Sequence, residues 1–204
     1  MKKRVFLITV LCIFAIVVSF IFDSQIVKGV SFLRNLVLDD FFIGITFLSS
    51  EIIIFFILTS LFLWKEHKRR WVLPLWMSLG LSAIVSFLLK ILIQRQRPFQ
   101  LDLVSTIPAL EKASYLIWNF SFPSFQAMLA FCSIPILAKE FPKFKYIWIA
   151  FAVLIAFSRV YFGVHFLSDV IFGGLIGFLI GIVVVKIETK IGFGEKVYKR
   201  IFKR

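Results

Sequence analysis

Residues 71–98 read WVLPLWMSLGLSAIVSFLLKILIQRQRP. From Trp71 to Ile93 the only charge is Lys90, and the run is long enough for a membrane-crossing helix, which needs about 20 residues. Lys90 lies about 28 Å from Trp71 at 1.5 Å per residue, so it sits at an edge of the hydrocarbon and not in its middle. Lys90 and Arg97 are seven residues apart. On one continuous helix they would share a face, about 10.5 Å apart along the axis. Pro98 then ends the helix. Cations here suit the helix dipole. By themselves they also fit side chains snorkelling to the interface.

Working outward, the rest of the chain is equally oily. Of its 204 residues, 60% are hydrophobic and 27 are Phe, against about 45–50% apolar in soluble domains. The expected fold is an all-α polytopic membrane protein, a six-helix transmembrane bundle with interfacial amphipathic helices. The six spans are residues 5–22, 51–64 with part of the preceding run, 71–93, 124–138, 146–162 and 165–187. Glu51 and Pro135 interrupt the second and fourth. The first follows Met-Lys-Lys-Arg but lacks a small-x-small cleavage pattern before Asp23, so an uncleaved helix is expected. Cys12 and Cys132 fall inside spans and read as packing residues. We expect one domain over residues 1–204. Residues 31–50 read as an amphipathic interfacial segment, residues 99–122 as a loop over the site, and residues 191–204 as a membrane-surface helix.

The net charge of +13 would suit nucleic acid, but its placement argues for topology and lipid contact. Alternate loops put seventeen basic residues on one side, including Lys65–Arg70 and the tail from Lys186 to Arg204. Lys28, Arg34, Lys90, Arg95, Arg97, Lys112 and Arg159 fall on the other. Positive loops stay cytoplasmic. Both termini are therefore expected inside, facing anionic lipid.

Two further stretches join Lys90–Pro98 on the outer side. Residues 122–126 read FPSFQ, and residues 158–169 read SRVYFGVHFLSD. Pro123 and Ser124 open a helix, where free amides bind anions. His165 and Asp169 are four apart and would meet on one helical face, the carboxylate fixing the imidazole tautomer. Arg159 offers a planar fork for phosphate. Ionisable groups at membrane depth are costly and mark function.

In these residues the chain resembles the type 2 phosphatidic acid phosphatase superfamily. That family carries Lys, six residues, Arg-Pro; then Pro-Ser-Gly-His; then Ser-Arg, five residues, His, three residues, Asp. Lys90, Arg97 and Pro98 match the first motif. Ser158, Arg159, His165 and Asp169 match the third. The resemblance implies a lipid phosphate or diphosphate as substrate, with membrane lipids around it and no nucleic-acid partner. It implies His165 as nucleophile through a phosphohistidine, with Asp169 orienting it. Lys90, Arg97, Arg159, Ser124 and the Phe125 amide would hold the phosphoryl oxygens. The family's site is free of metal and cofactor, and Asp39-Asp40 is not read as a metal site. Oligomeric state stays open.

The second motif departs from the pattern. Phe125 stands for Gly and Gln126 for His. The Phe125 amide survives its side chain. The family's histidine protonates the leaving oxygen and then helps water attack, and Gln126 has no proton to transfer. His67, the other histidine, lies in the cytoplasmic loop. Three readings follow. Gln126 disables an otherwise ordinary phosphatase; or the substrate is a diphosphate, whose leaving group needs less protonation; or the chain binds lipid phosphate without turnover. Transfer of the phosphoryl group to an alcohol acceptor is a further variant.

Overall fold

A computed structural model of the chain describes residues 2–108, 110 and 120–202, with side chains from residue 17 to residue 200 within them. Every regular element there is helical. In order they are α1 (Lys2–Ser31), α2 (Leu36–Leu48), α3 (Glu51–Leu63), α4 (Val72–Ile93), α5 (Phe125–Cys132), α6 (Ile134–Glu140), α7 (Phe144–Tyr161), α8 (Leu167–Ile191) and α9 (Phe193–Phe202). Short 3-10 turns cover Glu66–Trp71 and Pro98–Leu101.

Three helical stretches, Glu66–Leu101, Phe144–Tyr161 and Leu167–Ile191, are long and apolar enough to cross a membrane. A fourth arises if α2 and α3, bent by 63°, form one span. Several expected boundaries move for local reasons. The first helix does not stop near Phe22 but runs to Ser31, carrying Asp23 in its last third. The run 124–138 is two pieces, α5 and α6, parted at Ser133 just before Pro135, which lacks an amide proton. His165 lies outside α8, which starts at Leu167.

The short helix α5 sits at the centre. Ser78 Oγ of α4 donates to the Cys132 carbonyl at 3.3 Å, and Trp148 Nε1 of α7 donates to the Ala130 carbonyl at 2.9 Å. Its tightest neighbour is α8. Gly173, Gly177 and Gly181 are spaced by four and lie on one face. A Cβ on them would fall 2.5 Å from the Ser124 carbonyl oxygen, 2.3 Å from that of Met128 and 2.2 Å from that of Cys132. Only hydrogen fits, so the two backbones touch, as small residues allow between helices in lipid. Accordingly the Ser124 amide donates to the Asp169 carbonyl at 3.0 Å. This contact brings the start of α5 beside the first turn of α8.

Gly177→Ala therefore destabilises the protein by about 1–3 kcal/mol, the usual range for overpacking. Gly80→Ala, where a Cβ meets nothing within 4 Å, has the opposite sign, gaining about 0.4–1 kcal/mol from the unfolded chain. Thermal unfolding in detergent separates the two. Equal melting shifts would sink the close-packing account.

At the far end of α8, Glu188 accepts the Gly194 amide at 2.8 Å and the Glu195 amide at 3.2 Å. These bonds turn the chain into α9. Glu195 is held below the usual carboxylate range, first by Lys199 and then by Arg70. The tail is a helix, as its alternation of basic and apolar residues predicts.

Candidate active site

The first cation pair is not arranged as one helix face. Gln94 adopts a left-handed conformation (φ 51°), its amide closing onto the Lys90 carbonyl at 2.9 Å, and α4 ends at Ile93. Arg97 follows on extended backbone before Pro98. Lys90 and Arg97 are therefore both buried but on different backbone conformations, and each reaches its own carbonyl. Lys90 Nζ donates to the Phe120 carbonyl. Arg97 Nη1 donates to the Val164 carbonyl at 2.7 Å and lies 3.4 Å from His165 Nε2.

The stretch 158–169 is a helix end, a turn and a helix start. Gly163, at φ +66°, allows the turn. The amides of Val164 and His165 both donate to the Arg159 carbonyl, at 3.1 and 3.2 Å. Thus Arg159 closes α7, His165 occupies the turn and Asp169 lies in the first turn of α8. His165 and Asp169 do meet, though not across a shared helical face. Nδ1 is 3.8 Å from Oδ2, an ion-pair distance longer than a hydrogen bond. Asp169 is fully buried. Its Oδ2 accepts from Ser121 Oγ at 2.5 Å and from the Phe166 amide at 2.8 Å, and its Oδ1 accepts from Arg95 Nη1 at 2.7 Å.

The third stretch completes the cluster. Pro123 precedes the helix, and Ser124 is the N-cap of α5. The Ser124 hydroxyl is buried and bonded to nothing among the described residues. As at any helix start, the amides of Phe125 and the next two residues have no acceptor in their own helix. Gln126 Oε1 accepts from Arg159 Nη1. Arg159 Nη2 donates to Thr46 Oγ1 of α2, and its Nε donates to Ser158 Oγ at 3.3 Å.

The charge balance is one-sided. Lys90, Arg97 and Arg159 are 7%, 5% and 4% exposed. Lys90 and Arg159 meet neutral oxygens, and among the described residues neither forms a salt bridge. Buried cations are costly unless an anion completes them. The arrangement can therefore cradle a phosphate against His165.

The sequence pattern of the PAP2 superfamily matches residues 71–193. This chain belongs to the PAP2 superfamily. Phosphatidylglycerophosphatase B of Bacillus subtilis (strain 168) is 31% identical over 188 residues, covering 86% of this chain and 84% of that protein. An undecaprenyl-diphosphatase of Sulfolobus acidocaldarius is 32% identical over 132 residues, covering 64% and 62%. The crystal structure of a transmembrane PAP2-type phosphatidylglycerolphosphate phosphatase from Bacillus subtilis superimposes with a TM-score of 0.69 at 28% identity, over 94% of this chain and 98% of that one. With its apolar helices, this PAP2 protein is an integral membrane protein.

Several neighbours of this cluster were not singled out from the sequence. Ser121 and Arg95 bond to Asp169, Thr46 bonds to Arg159, and Ser168 and Asp23 bond to each other and to Arg95. Arg95 was legible only as an outer-side charge. Asp23 stands at the end of the first apolar run, where a buried acid is a signal in hindsight. Glu51, read only as an interruption, opens α3. Asp39 accepts from Tyr161 Oη at 2.6 Å, which accounts for one carboxylate of the Asp39-Asp40 pair.

Proposed function

We propose that this chain is a lipid phosphate or diphosphate phosphatase working through His165, with turnover limited by Gln126. The observation that carries the reading is the imidazole set between Arg97 and Asp169 within a buried group of cations. A phosphate entering there has Lys90, Arg97 and Arg159, the Ser124 hydroxyl and the Phe125 amide as donors. These stabilise charge that redistributes over the phosphoryl oxygens.

His165 Nε2 attacks phosphorus as the bond to the lipid oxygen breaks. Asp169, facing Nδ1, stabilises the positive charge that the ring acquires. The leaving oxygen then needs a proton. A lipid alkoxide needs it most, and a departing phosphate needs it least. Water next cleaves the phosphorus–nitrogen bond and releases inorganic phosphate. Gln126 can hold a hydrogen bond in both steps but transfers no proton.

In the membrane, we place six crossings at α1, the bent α2–α3 pair, α4, the broken α5–α6 pair, α7 and α8, in a single domain. Both termini lie in the cytoplasm and the site faces the extracytoplasmic side, because the basic loops collect opposite it. No cofactor enters this scheme.

A second reading, a non-catalytic lipid-phosphate binder, is favoured by the same Gln126. Its amide engages Arg159, and no other histidine stands nearby. Phosphate release in detergent from an isoprenyl diphosphate, an isoprenyl monophosphate and phosphatidate separates the two, with His165→Ala as the blank. The diphosphate is expected to be cleaved fastest by the chain as it stands, and only with His165 in place. Saturable binding of all three with no release, unchanged when residue 126 is made His, would establish the binder. Added alcohol acceptors reveal any phosphotransfer product.

A further inference from the structure

Asp169 is held from the side opposite His165 by a guanidinium that is itself held. Arg95 Nη1 donates to Asp169 Oδ1, and its Nη2 donates to Asp23 Oδ2, both at 2.7 Å. Asp23, on α1, is 3% exposed. It is fixed in turn by the Ser168 amide, which donates to Oδ1 at 3.0 Å, and by the Ser168 hydroxyl, which donates to Oδ2. The Ser168 hydroxyl also accepts from Arg95 Nη1 at 2.7 Å. The Phe166 ring lies 4.1 Å from the Arg95 guanidinium carbon and closes one face of the fork. The planar fork thus spans two buried carboxylates, one from α1 and one from α8.

In this arrangement Oδ1 of Asp169 is taken by Arg95 and Oδ2 faces the imidazole. With Oδ1 occupied by Arg95, Oδ2 is left for Ser121, the Phe166 amide and the Nδ1 side of His165. A proton on Nδ1 leaves the Nε2 lone pair free for attack. We propose that Asp23 is a positioning residue for the His165 site, acting through Arg95 to set the Asp169 carboxylate against the imidazole. Its effect on turnover rests on the phosphohistidine reading; its geometry does not. Asp23 lies outside residues 71–193, so the first helix would contribute to a site whose motifs all lie elsewhere.

The chain has two histidines, which makes the test clean. Ring-nitrogen NMR of the whole protein in detergent, labelled with ¹⁵N-histidine, reads the tautomer of His165, with His67 as internal reference. The unaltered chain is expected to show His165 protonated at Nδ1 and bare at Nε2. Asp23→Asn keeps the shape and can still hydrogen-bond Ser168, but loses the charge holding Arg95. It is expected to move His165 toward a mixture of tautomers, with His67 unchanged. Arg95→Lys, which cannot bridge both carboxylates as a fork does, is expected to do the same, and the double variant no more than either. Unchanged His165 signals in both variants, or shifts that simply add, would overturn the proposal. If Asp23→Asn does not fold, Arg95→Lys decides alone. In an active Gln126→His background, Asp23→Asn should lower kcat by up to about 10²-fold with KM little changed, the cost of misplacing a reacting group by about 1 Å, and Asp23→Glu should restore part of it. Because the tautomer readout needs no turnover, failure of the phosphatase reading and failure of this one are told apart.

Discussion

Gln126→His raises phosphate release from a lipid phosphomonoester by about 10²–10⁴-fold, the usual worth of a general acid or base. The expectation rests on how much of the site is already in place. His165 lies beside Arg97 and Asp169 without any contact from residue 126, which supplies one acceptor to Arg159. The gain should depend on the leaving group. A monoester, whose alkoxide needs a proton, should gain most. A diphosphate, which loses phosphate, should gain least. Rates for both substrates, on the unaltered chain and on the variant, give four numbers and one ratio. A folded Gln126→His protein that releases phosphate from neither would move the assignment to lipid-phosphate binding. Equal gains on both substrates would leave the phosphatase standing but remove the leaving-group argument.

The second large effect is at Arg159. In the Gln126→His background, Arg159→Ala lowers kcat by about 10²–10³-fold, the range for losing one donor to developing charge. Its guanidinium is buried against Gln126, Thr46 and Ser158. It is therefore desolvated and held in place before substrate arrives. Arg159→Lys keeps the charge but not the fork, and should recover only part of the loss. Kinetics distinguish the roles. If Arg159 acts in the transition state, kcat and kcat/KM fall together. If KM alone rises, it serves ground-state binding. Thermal unfolding of both variants guards against a loss that is only structural.

The membrane class was readable from the apolar runs because hydrocarbon imposes length and composition on any crossing helix. The identity of the cationic group was readable because charge in such a run is rare. Within those limits, local details went astray where one residue outweighed the periodicity. Gln94 takes a left-handed conformation, so Arg97 leaves the helix that carries Lys90. Gly163 turns the chain, so His165 lies before α8 and reaches Asp169 across a helix start.

Residue order and type determined that this is a helical membrane protein, and they set out His165, Asp169, Arg159, Lys90, Arg97, Ser124 and Gln126 as the inventory on which the proposed chemistry draws. Those facts are written along the chain as spacing, hydropathy and charge. The tertiary structure alone decided that α5 packs backbone to backbone on Gly173, Gly177 and Gly181, and that Arg95 links Asp23 and Asp169, which lie 72 and 74 positions from it in sequence. Such pairings depend on which helices become neighbours. Leu, Ile and Phe faces are interchangeable in periodicity, so that choice rests on close packing between particular backbones.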